Sequence, residues 1–334
     1  MPGLLVLAAF AAGCSYDGEI VNVYSSRHYD VDNKLLDRFT EETGIRVNLI
    51  SADSDQLISR LQNEGDRTPA DVIITADASR LIMAGELGLL QKIDSELIWS
   101  TVPRHWRDED FFWTGLTRRV RLIVYHPDRV DASELSGYEA LAGEQWKGRV
   151  LVRSSASHYN QALMASIIAA QGAHGALEWA RAIVENMAQA PRGNDRDQVK
   201  FIAAGLGDVA IINSYYMGLL HHSPNPRERE VARQVRVHFP NQAGRGSHVN
   251  ISGAGITAAS QNRDNAVRLI EFLVSVEAQE QIAFENFEYP VVPEARLPDL
   301  LMEWGPYRSD TIPLRELSLH REQAVLIFNN AGWR

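Results

Sequence analysis

Two adjacent phenols, Tyr215 and Tyr216, close the run Val209-Ala210-Ile211-Ile212-Asn213-Ser214. The apolar part of that run reads as a strand, so the pair stands where the strand should end. Neighbouring side chains on a strand point to opposite faces, and both phenols can share a target only where the backbone turns. A phenol oxygen is hard and, once deprotonated, anionic, which suits a hard, highly charged cation such as trivalent iron. The plainer use of such a pair is packing, with the ring buried and the hydroxyl hydrogen-bonded.

Two more loops carry the same side chains. Ser25-Ser26-Arg27-His28-Tyr29-Asp30 follows the first strand, and Arg153-Ser154-Ser155-Ala156-Ser157-His158-Tyr159-Asn160 follows a later one. Ser and Asp favour helix N-termini, so a capping role accounts for Asp30 or Asp32, but gives no reason for His28 and Tyr29. Three post-strand loops thus bring Tyr, and two bring His. Elsewhere, His221-His222 before Pro224 reads as a solvated turn, and Asp108-Glu109-Asp110 as a solvated acidic face. The chain has no Gly-x-Ser-x-Gly elbow, no Walker-type phosphate loop and no two-His helical zinc motif.

The elements that position these loops alternate. Strands are predicted at Ile20–Tyr24, Arg46–Ile50 and Asp71–Ile74, with helices at Asp32–Glu42, Asp53–Asn63 and Ala78–Ala84. Arg121–Tyr125 reads as a crossing into a second domain. The pattern restarts with strand Arg149–Val152, helices Tyr159–Ala170, Ala176–Met187 and Arg196–Ala204, and strand Val209–Ile212. Pro224–Glu230 reads as a polar loop, Val235–Phe239 as a strand, Asn250–Thr257 as a return crossing and Asp264–Phe284 as one long helix. Alternation of this kind implies α/β architecture, with sheets flanked by helices. Two lobes joined by more than one crossing leave a cleft, and ligands of open α/β sheets lie beyond the carboxyl ends of the strands.

The 334 residues suffice for one large or two medium domains, and a formal net charge of -10 argues against a nucleic-acid partner. The single cysteine, Cys14, excludes an internal disulfide. Leu4–Ala12 is apolar but too short to span a bilayer, and it ends in Ala11-Ala12-Gly13-Cys14. Small residues before a Cys resemble a lipoprotein leader, although this one has no Lys or Arg ahead of its apolar run. Residues 1–17 are therefore expected to be a signal or lipoprotein segment with Cys14 as the lipidated residue. The mature chain is expected in the periplasm or at the outer face of the cytoplasmic membrane.

After this segment the chain resembles, nearly end to end, the periplasmic iron-binding substrate-binding proteins of ferric ABC transporters. The resemblance rests on Val23-Tyr24-Ser25-Ser26-Arg27-His28-Tyr29, on Pro69-Ala70-Asp71-Val72-Ile73-Ile74-Thr75-Ala76-Asp77, on Arg192-Gly193-Asn194-Asp195-Arg196-Asp197-Gln198, on Asn213-Ser214-Tyr215-Tyr216 and on Asn286-Phe287-Glu288-Tyr289-Pro290-Val291. It implies a two-lobed periplasmic-binding-protein fold of type II, each lobe a central β-sheet flanked by helices. The lobes would be 18–118 with 247–295, and 119–246 with 296–334.

It also implies a monomer that is no enzyme, closes on Fe(3+) and passes it to an ABC permease and its ATPase. The metal ligands implied are Tyr29, Tyr159, Tyr215 and Tyr216, with His28 a ligand only in some members. Four phenolates exceed a trivalent ion by one charge, so a nearby cation should help: Arg119 by its resemblance to the family's basic residue, or Arg27. Either could hold a carbonate. The bland reading of Arg119 is one of three neighbouring arginines with its head in solvent. Fe(2+), one charge lower, gains less from four anionic oxygens. The alternatives are an oxyanion or polyamine receptor on the same scaffold, an iron-sensing partner protein, or a metal-dependent enzyme.

Overall fold

The computed structural model describes residues 19–334, so the leader and Cys14 lie outside the described residues. The strands are β1 (Ile20–Ser25), β2 (Arg46–Ser51), β3 (Val72–Thr75), β4 (Leu90–Gln91), β5 (Trp113–Tyr125), β6 (Val150–Leu151), β7 (Val209–Asn213), β8 (Arg236–His238), β9 (Val249–Thr257) and β10 (Tyr289–Pro290). They run in the order β2-β1-β3-β9-β5-β7-β6, with β4 on β9 and both β8 and β10 on β5. Pairing is parallel within β2-β1-β3 and between β6 and β7, and antiparallel around β9 and β5.

Helices α1 (Asp30–Thr43), α2 (Ser54–Glu64) and α3 (Ala78–Glu86) follow the first three strands, and α4 (Glu96–Thr101) precedes β5. Next come α5 (His158–Asn186), α6 (Asp195–Ala203), α7 (Tyr215–His221) and α8 (Pro226–Arg233). After β9 stand α9 (Arg263–Leu273), α10 (Val276–Asn286), α11 (Asp299–Glu303), α12 (Leu314–Leu319) and α13 (Arg321–Ala331). None of the described helices is long and apolar enough to cross a membrane.

β5 passes from one apolar core to the next. Its first part pairs with β9, from Trp113 opposite Gly255 to Val120 opposite Val249; its last part pairs with β7, from Arg121 opposite Asn213 to Tyr125 opposite Val209. Val120 and Leu122 belong to a core with Val21, Ile73, Leu81 and Leu269. Ile123 joins a second core with Trp146, Leu163 and Phe328, and Val124 a third with Leu151, Val199 and Ile212. Successive strand residues face opposite sides, so Ile123 and Val124 reach cores on the two faces of one sheet.

Two expectations change in detail. The stretch predicted as one helix over Asp264–Phe284 is two, α9 and α10, because the Ser275 side chain accepts from Ala278 N and starts the second. The predicted loop Pro224–Glu230 contains the start of α8, where Asn225 caps Arg227 N and Pro226 takes the first turn. The two helices predicted across 159–187 are both present within the span α5, separated by a kink at Gly172, whose φ of 74° is left-handed.

Candidate metal centre

Each tyrosine is delivered by a locked junction. Tyr29 leads into α1, and its backbone N–H donates to Asp32 Oδ2 at 3.3 Å. Tyr159 is the second residue of α5; the loop before it is held by the Asn160 amide, which donates to the carbonyls of Arg153 and Ser154. Tyr215 and Tyr216 open α7. Before them, Ser214 N donates to Val120 O and Ser214 Oγ accepts from Val120 N, tying the turn to β5. A helix turns about 100° per residue rather than 180°, which lets two consecutive phenols share a side.

The rings meet. Tyr29 Oη donates to Tyr215 Oη at 3.0 Å, with the rings edge-on at 5.6 Å. The Tyr215 and Tyr216 rings lie 4.0 Å apart. Arg119, fully buried, donates from Nη1 to Tyr159 Oη at 2.9 Å and from Nη2 to the carbonyl of Ala76. The solvent-headed reading of Arg119 is therefore overturned. Its neighbours do differ: Arg118 turns to the opposite face and donates to Pro290 O, whereas Arg121, two residues on, is buried against Asp195, Asn160 and Asn213.

His28 is exposed and stacks on Tyr29 at 5.1 Å. It stands on the wall of a cavity of about 410 Å³ that it shares with Ser26, Tyr29, Arg80, His158 and Tyr159.

Electrostatics disfavours ionisation of Tyr29, Tyr215 and Tyr216. Burial first, then the charges of the other tyrosines, push Tyr29 and Tyr215 well above the usual phenol range, with Arg119 pulling against this. Tyr216 is pushed up to about 12, by burial and then by Asp195 and Tyr159. A cation that binds here must displace protons. Among the described residues no cluster of three His, Cys, Asp or Glu could hold a metal ion.

Arg27 does not stand free as a cation. It forms ion pairs with Asp32 and Glu288, both at 2.8 Å, and donates to Thr117 Oγ1 and Ser252 Oγ. Arg119 Nε lies 3.3 Å from Glu288 Oε1, an ion-pair contact without hydrogen-bond geometry. A carbonate on Arg27 would have to displace a partner already present. Sequence reasoning passes over two carboxylates here. Glu288, wholly buried, joins both arginines, and Asp195 joins Arg121, Arg153 and the backbone N–H of Asn213. The alternation Thr117, Arg119, Arg121 on one face of β5 is the signal that could have pointed to buried anions opposite.

Residues 67–305 match the family model described as bacterial extracellular solute-binding protein, and the chain belongs to this family of extracellular solute-binding proteins. Among its relatives, iron uptake protein A1 of Synechocystis sp. is 45% identical over 314 residues, 94% of this chain and 87% of the relative. A Trichodesmium protein solved in complex with iron and citrate ligands superposes with a TM-score of 0.89 at 42% identity, covering 94% of this chain and 100% of its own. The ferric binding protein from Campylobacter jejuni gives 0.89 at 40% identity, with coverage of 94% and 100%.

Proposed function

We propose that this protein captures ferric iron as cargo with the phenolates of Tyr29, Tyr159, Tyr215 and Tyr216 and delivers it to the permease and ATPase of an ABC transporter. One observation carries the reading: four tyrosines from three separate junctions converge on one site, with Tyr29 and Tyr215 in contact across the chain and Tyr159 on a buried arginine. The names of the relatives, an iron uptake protein and a ferric binding protein, support the same cargo.

The lobes in this reading are 18–118 with 247–295, and 119–246 with 296–334. Tyr29 belongs to the first and the other three tyrosines to the second, and β5 and β9 are the crossings. Iron bound between them bridges the lobes and favours closure. In this reading His28, exposed and stacked on Tyr29, is a secondary candidate ligand of the metal. Work at the outer face of the cytoplasmic membrane, with Cys14 as a lipid anchor, belongs to the same reading and rests on the sequence.

The test is the visible spectrum of the iron-loaded protein. Phenolate-to-iron(III) charge transfer should colour it. Replacing Tyr215 and Tyr216 together by Phe removes two anionic oxygens while keeping both rings, so the band should vanish and the fold survive. Unchanged colour and iron affinity in that variant would sink the ligand assignment.

A further inference from the structure

Glu288 is a buried carboxylate that touches no phenol, yet it sits one residue behind two of them. Its Oε1 accepts from Arg27 Nη1 at 3.2 Å and Thr117 Oγ1 at 3.0 Å, and its Oε2 from Arg27 Nη2 at 2.8 Å and Asn286 Nδ2 at 3.0 Å. Arg119, 3.3 Å from Oε1, reaches on to Tyr159, and the Arg27 guanidinium lies 5.0 Å over the Tyr29 ring. Burial opposes ionisation of Glu288, but Arg27 and Arg119 outweigh it and hold its carboxyl below the usual range. Behind Tyr29 and Tyr159 this group sets two guanidiniums, Arg27 and Arg119, against two carboxylates, Glu288 and Asp32.

That balance is more negative than a cargo site with four phenolates needs. If charge compensation were the only demand, Thr117, Asn286 and Ser252 could hold the arginines with neutral oxygens. A fixed anion in a dry interior is costly unless paired, and its field reaches the metal with little screening. Fe(3+) and Fe(2+) in one ligand shell differ by a single positive charge. A nearby fixed negative charge stabilises the more positive of the two.

We propose that Glu288 is a specificity-determining residue, a built-in anion that sets the preference of the site for the trivalent over the divalent ion. The inference rests on the tyrosine reading of the cargo site. Glu288 acts through Arg27 and Arg119, and is a positioning residue for both as well as a charge.

The two roles give opposite signs. Glu288→Gln keeps the size and one acceptor but deletes the charge, so the ferric-over-ferrous preference should fall on the order of tenfold. That raises the potential of the bound iron by about 59 mV for a one-electron couple. If Glu288 only held the arginines in place, its loss would let their positive charge drift away from the metal, and the potential would stay or fall. The experiment is a spectroelectrochemical titration of the visible band in the iron-loaded full-length protein, wild type against Glu288→Gln. An unchanged or lowered potential overturns the inference.

Should the single variant fail to fold, Arg27→Met is compared with Arg27→Met combined with Glu288→Gln, which removes both members of the pair. The potential should be higher in the double variant, and equality overturns the inference. A wild-type protein with no phenolate band fails the tyrosine reading itself, an outcome distinct from a band whose potential does not move.

Discussion

Iron loading should release protons, and the number of them tests the site. Folding suppresses ionisation of Tyr29 and Tyr215 strongly and moves Tyr216 to about 12. At pH 7 a group with that value is ionised in roughly one molecule in 10⁵. Each of these three phenols must therefore lose its proton to the solvent as the metal enters. Three protons make the affinity change about thousandfold per pH unit, or about 4 kcal/mol at about 1.4 kcal/mol for each proton. The sign follows: affinity rises with pH and falls in acid. The assay is a pH-stat titration at pH 7 with ferric nitrilotriacetate, corrected for the proton balance of the chelator alone, with competition for the metal measured from pH 6 to 8. At least three protons should leave per iron, and the Tyr216→Phe variant should release one fewer. One proton or none, or a count that this variant leaves unchanged, would refute the reasoning.

Arg119→Ala should weaken iron binding at mildly acidic pH first, because Arg119 opposes the upward push on Tyr29 and Tyr215; a shift of about one pKa unit is worth roughly 1.4 kcal/mol for each coupled proton. The midpoint of iron release should move to higher pH, and an identical midpoint would remove Arg119 from the charge balance. The same variant breaks a buried ion pair, and the apoprotein should lose about 3 kcal/mol or more of stability in a urea titration. Small-angle scattering should give a smaller radius of gyration with iron than without, since in the proposed reading Tyr29 and Tyr215 belong to different lobes that iron bridges; equal radii would mean that the apoprotein is already closed or that the lobes are wrongly assigned. His248 is buried, and that burial, followed by Arg245 and Arg121, pushes it down to about 3. Its unfolded value is near 6.5, so its contribution to stability is complete above that pH and is lost as the pH falls towards 3, about 3 kcal/mol by pH 4. His248→Gln should flatten this acid limb of the stability profile, and an unchanged limb would assign it to other groups.

The strands and the post-strand tyrosines were legible in the sequence because each depends on local pattern: apolar runs make the strands, and polar residues after them have nowhere to go but the carboxyl edge. Glu288 was not legible as an electrostatic centre, since its partner Arg27 is 261 residues away and only the fold joins them. Asp195 hid in the same way, standing in a polar stretch whose composition suggests solvent, yet it is wholly buried. The break between α9 and α10 was masked because apolar residues continue across it, and only the Ser275 cap marks the restart. The start of α8 was readable in principle from Asn225-Pro226, but its charged residues outweighed the capping signal.

β5 has a consequence for how such a protein can be altered. The strand that carries the chain across the lobes also presents Thr117 to Glu288, Arg119 to Tyr159 and Arg121 to Asp195, on alternate positions of one face. If β5 is the pivot of the proposed closure, the pivot and the wall of the proposed site are one object, like a spring whose coils are also its contacts. Stiffening or loosening it necessarily moves the charges behind the phenols, and changing those charges necessarily alters the rest position of the spring. Rates of opening and strength of grip are therefore not separate dials in this molecule, and a variant that releases cargo faster should be expected to hold it differently as well.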